Sequence, residues 1–173
     1  MDLAAFNALP DDEARAALAA CCGSSRWAAA TAARRPFADL AALEAAADAV
    51  WWSLDPADWR EALAAHPRIG ERPAGAGRAA RWSSGEQARV AVESDAAVRD
   101  ELARANREYE ERFGHLYVIC ASGRGPQEIL ADLRARLGND PDTELRRAAA
   151  EQAAITRLRL RRLVGEPAPA SGT

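Results

Sequence analysis

The residue best suited to proton transfer in this sequence is His66, which begins the segment His66-Pro67-Arg68-Ile69-Gly70. An unperturbed imidazole titrates near pH ~6.5, so it can hold and release a proton at neutral pH. Pro67 disfavours a helical conformation of the residue before it, so the helix that runs through Trp59 and Leu63 is expected to end at His66. The imidazole should therefore lie at a helix exit, which makes it the first candidate for chemistry.

A second polar motif, Ser83-Ser84-Gly85-Glu86-Gln87, follows across a link rich in glycine, proline and arginine. Ser83 and Glu86 have the spacing of a capping box, in which each side chain accepts a hydrogen bond from the other residue's backbone N–H at a helix start. Such a helix start would also present N–H donors to an anion. The two roles are compatible, and the spacing leaves both open. The link, residues 71–81, is expected to be a surface loop, and whether it acts as a lid also stays open.

Arg159 is a charged residue in an apolar position. Ile155, Arg159 and Leu163 are four residues apart in the last helical segment, so the guanidinium lies on the stripe that faces the core. An unpaired guanidinium would be costly there. Its partner is therefore either an internal carboxylate or an anionic ligand, and the pattern leaves both open.

The run from Leu116 to Ala121 is the one strongly apolar, β-branched stretch of the chain. Without a second strand to pair with, its buried backbone groups need other hydrogen-bond partners. Neighbouring side chains are the more common answer, and a ligand is the other candidate.

Composition excludes several classes of chemistry. All 23 basic residues are arginine, so a lysine Schiff base and the usual pyridoxal chemistry are excluded. Cys21, Cys22 and Cys120 form no CxxC pattern and predict neither a metal site nor a disulfide framework. The net charge of -3, with arginines interleaved among acids, provides no footprint for nucleic acid. No apolar run reaches membrane-spanning length and no targeting segment is visible, so a soluble cytoplasmic protein is expected.

Amphipathic segments separated by proline and glycine predict an all-α fold, a single compact multi-helix domain over residues 1–164. The apolar content of 49% is largely alanine and the aromatic content only 6%, which favours closely packed helices over sheets. Residues 165–173 are expected to form a disordered tail. The helix-boundary signals are starts at Asp39, Asp55-Pro56 and Asp140-Pro141 and a stop at Phe113-Gly114.

Several segments, taken in order, resemble the motifs of the 2-oxo-4-hydroxy-4-carboxy-5-ureidoimidazoline (OHCU) decarboxylase family. The HPxIG and SxxEQ pair is specific in combination, and the resemblance covers nearly the whole chain to about residue 164. It implies an all-helical domain that converts the small molecule OHCU to S-allantoin, the last step of the uric acid route, without a cofactor or a metal. The matching segments are Trp27, Arg35-Pro36-Phe37, His66-Pro67-Arg68-Ile69-Gly70, Ser83-x-x-Glu86-Gln87, Phe113-Gly114, Val118-Ile119-Cys120-Ala121 and Leu158-Arg159-Leu160.

The resemblance also implies the site residues. His66 would be the catalytic proton donor, and Glu86 would orient or tune that imidazole or bind the ureido arm. Arg159 would engage the substrate's carboxylate or a carbonyl oxygen. The implied substrate-binding residues are Pro67, Ser83, Ser84, Gly85, Glu86, Gln87, Val118, Ile119, Cys120, Ala121, Ser122 and Arg159.

Two departures and two alternatives accompany this hypothesis. His115 and Tyr117 stand where the family often carries apolar or aromatic residues, so His115 competes with His66 for the proton-transfer role. The C-terminus lacks the peroxisomal tripeptide of some eukaryotic relatives, which agrees with a cytoplasmic bacterial enzyme. The alternatives are a noncatalytic helical interaction module and a different small-molecule hydrolase that uses His66 and Glu86 to activate water. No nucleic-acid or membrane partner is expected, and the oligomeric state stays open between a monomer and a homodimer.

Overall fold

The structure, a computed structural model, describes residues 1–69, 78–86 and 96–165. Over these residues the chain forms α-helices and no β-strand, apart from an isolated bridge between Asp2 and Gly165. The all-α prediction is confirmed. None of these helices is long and apolar enough to cross a membrane. The helices are α1 (Leu3–Asn7), α2 (Asp11–Ala19), α3 (Ser25–Ala32), α4 (Leu40–Ser53), α5 (Pro56–Ala64), α6 (Arg78–Glu86), α7 (Ala96–Phe113), α8 (Pro126–Arg136) and α9 (Pro141–Gly165).

The predicted helix boundaries at Asp39, Asp55-Pro56, Phe113-Gly114 and Asp140-Pro141 follow local capping rules. The Asp39 side chain accepts a hydrogen bond from the Ala42 backbone N–H at 2.7 Å, and α4 begins one residue later. Helices α5 and α9 each begin at the proline of an Asp-Pro pair. Gly114 follows α7 with a φ of 71°, the left-handed conformation that glycine adopts without steric cost. These start and stop predictions are confirmed.

The N-terminal unit of the chain comprises Met1–Trp59 and the residues from Ala153 onward. Helix α3 packs against α2 and α4. Trp27 on α3 is fully buried and donates its indole N–H to the Ala47 carbonyl at 3.0 Å. The predicted tail, residues 165–173, lies outside the described residues except for Gly165, the last residue of α9. Ion pairs between α9 and α4 include Arg157–Asp48 and Arg161–Glu44.

The other unit comprises Arg60–Gln152, in which α7 packs against α8. A charged residue, Arg136, enters its apolar core. The Arg136 guanidinium lies 4.7 Å from the Tyr117 ring centre and 5.8 Å from that of Tyr109, and it pairs with the buried carboxylate of Glu144 at 2.5 Å. The burial of this charge is therefore compensated by an opposite charge and two aromatic faces.

Helix α6 contradicts the prediction of a loop to residue 81 and of a helix start at Ser83. The helix already begins at Arg78, so Ser83 lies inside it and Glu86 is its last described residue. A capping box and an anion site at a helix start formed by Ser83 are therefore wrong. The physical reason is that residues 78–82 contain no glycine or proline and are mostly strong helix formers, and the Arg78 guanidinium packs 5.8 Å from the Trp82 ring one turn later. The rest of the predicted loop, 71–77, lies outside the described residues.

Candidate active site

His66 lies at the exit of α5, as predicted. The helix ends at Ala64. The next two backbone N–H groups donate to carbonyls three residues back, Ala65 to Ala62 at 3.3 Å and His66 to Leu63 at 3.2 Å. This tightening of the last turn satisfies helix-end carbonyls and leaves His66 just beyond the helix.

Two contacts with α7 hold the segment that follows His66. Arg68 makes a two-pronged ion pair with Glu110, with N–O distances of 2.7 and 2.9 Å. The buried Asn106 side chain donates a hydrogen bond to the Ile69 carbonyl at 3.2 Å. Both contacts lie within three residues of His66, so they restrict the backbone from which its imidazole projects.

Gln152 on α9 contacts the His66 ring directly. Its amide oxygen lies 2.5 Å from His66 Nε2, and the side chain is fully buried. Sequence reasoning did not identify Gln152. The sequence did contain a signal, because Gln152 is a polar residue in an alanine-rich stretch. A buried amide needs a hydrogen-bond partner, as the buried guanidinium of Arg159 does.

The run from Val118 to Ala121 obtains its hydrogen bonds from neighbouring side chains and from a turn. Arg136 donates to the Val118 carbonyl at 3.0 Å, and the Cys120 N–H donates to the Glu151 carboxylate at 2.9 Å. The Arg124 N–H donates to the Ala121 carbonyl at 3.0 Å. This is the commoner of the two answers left open by the sequence, and it explains how an extended apolar segment is stable without a paired strand.

Glu151 connects this run to the charged residues around it. It is 6% exposed, and its second carboxylate oxygen pairs with Arg147 at 2.9 Å. Burial raises the pKa of the Cys120 thiol, and the negative charges of Glu151 and Glu86 raise this pKa further. Glu86 therefore lies within electrostatic range of Cys120. The sequence did not identify Glu151 as a site residue either.

The structure thus brings several predicted residues into one neighbourhood of the Arg60–Gln152 unit. His66 is held by Gln152, and Cys120 is held by the adjacent Glu151, so both contacts originate from consecutive positions on α9. Glu86 interacts electrostatically with Cys120. The run that carries Cys120 is otherwise buried up to Ala121.

The remaining predicted residues differ in their surroundings. Arg159 is 4% exposed and belongs to the N-terminal unit. Ser83 is buried on α6 and Gly85 is exposed. Pro67 is partly exposed and Ser122 is exposed. Gln87 and the side chain of Ser84 lie outside the described residues.

His115, the competing histidine, occupies a different environment. Its ring meets Tyr109 edge-on with 5.5 Å between ring centres, and its Nδ1 lies 3.1 Å from the Leu116 carbonyl. Burial lowers the pKa of His115, which favours the neutral imidazole at neutral pH. It borders an open cleft of about 510 Å³ whose other lining residues are Arg60, Ala64, Glu110, Gly114 and Leu116.

Within the described part of the chain, no three His, Cys, Asp or Glu side chains are grouped in a way that could hold a metal ion. The imidazole of His66 and the carboxylates of Glu86 and Glu151 are of the types that general acid–base chemistry uses.

Comparison with known proteins identifies related sequences and structures. A family model described as OHCU decarboxylase matches residues 7–161. The chain is 38% identical over 151 residues to the uric acid degradation bifunctional protein TTL of Arabidopsis thaliana, a match that covers 86% of this chain and 46% of that protein. This chain therefore spans about half the length of that relative. It is 37% identical over 135 residues to the 2-oxo-4-hydroxy-4-carboxy-5-ureidoimidazoline decarboxylase of Amia calva, covering 78% of this chain and 77% of that one.

A solved structure shares the fold. It is described as the crystal structure of OHCU decarboxylase in the presence of (S)-allantoin. The TM-score is 0.78 at 33% sequence identity, and the match covers 91% of this chain and 100% of that chain. The similarity therefore extends over the whole of that structure.

Proposed function

The chain belongs to the OHCU decarboxylase family, and from this premise we infer that it decarboxylates OHCU to allantoin in urate degradation. It is a carboxy-lyase that acts on a small molecule. The observation that carries the inference is the family match over residues 7–161, because this range includes every predicted site residue from His66 to Arg159. The match favours a decarboxylase over both the interaction module and the hydrolase.

The reaction needs one proton carrier and a rigid cradle. When the C4–carboxylate bond breaks, CO2 leaves and the electron pair passes to the adjacent C=N unit, whose nitrogen takes up one proton from water. The 4-hydroxyl group then becomes a carbonyl, and its proton is transferred to C5. Delivery of that proton to one face of C5 would yield S-allantoin. We assign this transfer to His66, which the helix exit and Gln152 hold in place.

The other assignments extend this proposal to the cradle. Glu86 would orient the imidazole or bind the ureido arm, and the run from Val118 to Ser122 would offer backbone groups to the flat heterocycle. Arg159 would bind the carboxylate or a carbonyl oxygen, because a buried guanidinium is suited to an anionic partner. The remaining proposed binding residues are Pro67, Ser83, Ser84, Gly85 and Gln87, with no cofactor in the reaction.

The proposal is tested by the conversion of freshly generated OHCU by the purified protein. We expect the protein to accelerate formation of allantoin and to give the S enantiomer in excess, measured by circular dichroism and chiral chromatography. The control is the spontaneous decay of OHCU without protein. A rate equal to that background would remove the decarboxylase assignment, and racemic product would remove the assignment of facial proton delivery.

A further inference from the structure

The contact between His66 and Gln152 specifies where the imidazole carries its proton. An amide oxygen accepts hydrogen bonds and cannot donate one, so the ring nitrogen at 2.5 Å from it, Nε2, carries a hydrogen. In a neutral imidazole the other nitrogen, Nδ1, then carries the lone pair. The reverse tautomer would place two lone pairs against each other at this distance.

The burial of Gln152 strengthens its preference for the Nε2–H tautomer of His66. Its side chain is fully buried, so water cannot readily substitute for the amide as a partner of Nε2. Gln152 also lies on a helix of 25 residues, α9, next to Glu151, which holds the Cys120 N–H. The acceptor oxygen is therefore carried by a rigid element and not by a loop.

We propose that Gln152 is a positioning residue that holds His66 as the Nε2–H tautomer, so that His66 exchanges protons with the substrate through Nδ1. This inference rests on the proposed function, in which His66 is the proton carrier. It goes further because it gives the two ring nitrogens separate roles. Nε2 fixes the orientation of the ring, and Nδ1 performs the transfer.

The assignment accounts for the transfer of the 4-hydroxyl proton to C5. Nδ1 accepts the 4-hydroxyl proton as C4 becomes a carbonyl, which produces an imidazolium with both nitrogens protonated. Nδ1 then returns that proton to C5, and the ring is neutral again with its hydrogen on Nε2. The Nε2–H bond to Gln152 is present in both states, so the ring neither rotates nor changes tautomer between the two steps.

The resting tautomer can be measured without turnover, by NMR of the protein labelled with ¹⁵N-histidine. The chain has two histidines, and the His66→Ala spectrum assigns them. We expect Nε2–H for His66. His115 provides an internal contrast, because its Nδ1 faces the Leu116 carbonyl and should carry the hydrogen. An Nδ1–H tautomer at His66 would overturn the inference, with no variant of Gln152 needed.

The role in catalysis is tested with Gln152→Met, which keeps the length of the side chain and removes the acceptor. We expect a mixture of His66 tautomers and a fall in kcat of roughly 10- to 100-fold, the range found when a metal-bound histidine loses the partner that orients its ring. KM should change much less. Gln152→Glu, which keeps an acceptor oxygen, should restore most of kcat, and Gln127→Met, the same change at an exposed position of α8, should have no effect.

The outcomes separate the inference from the proposed function. Wild-type kcat in a folded Gln152→Met protein, checked by its melting temperature, would overturn the positioning role. If Gln152→Met does not fold, the positioning role is tested with Gln152→Glu instead. A loss of kcat in Gln152→Glu, with the Nε2–H tautomer of His66 retained, would overturn the positioning role. An Nε2–H tautomer in a wild-type protein that does not convert OHCU would instead overturn the proposed function and leave the tautomer assignment standing.

Discussion

The two histidines show how the surroundings of a residue, more than its type, suit it to chemistry. His66 lies beyond a helix end, is partly exposed and is held through one nitrogen by a buried amide. His115 is buried against Tyr109, and burial lowers its pKa. A neutral, packed imidazole stabilises the core through contacts, whereas a partly exposed one with a fixed orientation is able to meet a substrate.

Substitution of each histidine tests this distinction. We expect His66→Ala to lose roughly 10² to 10⁴-fold in kcat, the usual contribution of a positioned proton carrier, while the protein stays folded. His115→Ala should lose far less activity but lower the melting temperature, because it removes a buried ring. Both variants should be assayed for turnover and thermal unfolding. The reverse pattern of activities would show that the proton carrier is His115.

The proposed role of Arg159 is to bind the substrate's carboxylate or a carbonyl oxygen, and an internal ion pair is the alternative. We expect Arg159→Gln to weaken the binding of a carboxylate analogue of allantoin by roughly 1.5 to 3 kcal/mol, the range for a hydrogen bond to a charged group. Calorimetric titration measures this affinity, and Arg162→Gln, on the partly exposed last turn of α9, is the control. Unchanged affinity together with a marked loss of stability would assign Arg159 to an internal ion pair alone.

At the scale of elements, α9 organises the predicted site more than the sequence suggested. In the unit Arg60–Gln152, the N-terminal part of α9 supplies Glu144 to Arg136, Glu151 to Cys120 and Gln152 to His66. Arg136 in turn donates to the Val118 carbonyl. The extended run is thus held at two backbone positions by side chains, which is why it needs no paired strand.

The charge of Glu151 should be detectable at the Cys120 thiol. Because this charge raises the pKa of Cys120, Glu151→Gln should lower it and increase the thiolate fraction at neutral pH. We expect alkylation of Cys120 by iodoacetamide to accelerate roughly two- to tenfold, because the thiolate is the form that reacts. Peptide mass spectrometry separates Cys120 from the buried Cys21 and Cys22.

Glu128→Gln serves as the matched control for that experiment, because it removes an exposed carboxylate from α8. It should leave the alkylation rate of Cys120 unchanged. An unchanged or slower rate in Glu151→Gln would contradict the electrostatic coupling between Glu151 and the thiol. The amide oxygen that Glu151→Gln introduces can still accept the hydrogen bond from the Cys120 N–H. Activity is therefore measured on the same variant, to separate loss of the charge from loss of this hydrogen bond.

At the scale of the whole molecule, the composition restricts the chemistry that the enzyme can use. The chain has no lysine, so catalysis cannot pass through a lysine Schiff base. The proposed path needs only an imidazole and hydrogen-bonding groups, so we expect turnover to be unchanged after dialysis against a chelator. A loss of activity that is restored by added divalent metal would contradict this path.

The helix ends and the position of His66 at a helix exit were predictable because their causes are local. A proline, a capping aspartate or a glycine acts on residues within about one turn. The helix start at Asp39, the helix end at Gly114 and the helix exit at His66 could therefore be predicted from adjacent residues. The same local method failed at α6, where the link was interpreted as a loop and the helix-forming residues 78–82 were assigned to it. The resemblance to a known family supplied the proposed roles of the site residues, which no local rule could have assigned.

Only the tertiary structure decided which side chains hold the site together. His66 and Gln152 are 86 residues apart, and Cys120 and Glu151 are 31 apart. No periodicity or capping rule connects such positions, because they meet only when segments distant in the sequence pack together. The sequence by itself determined the all-helical class, many helix ends and the placement of His66 just beyond a helix. Packing determined the partners of its imidazole and of the extended run, because a buried polar group takes whichever partner the fold places within hydrogen-bond distance.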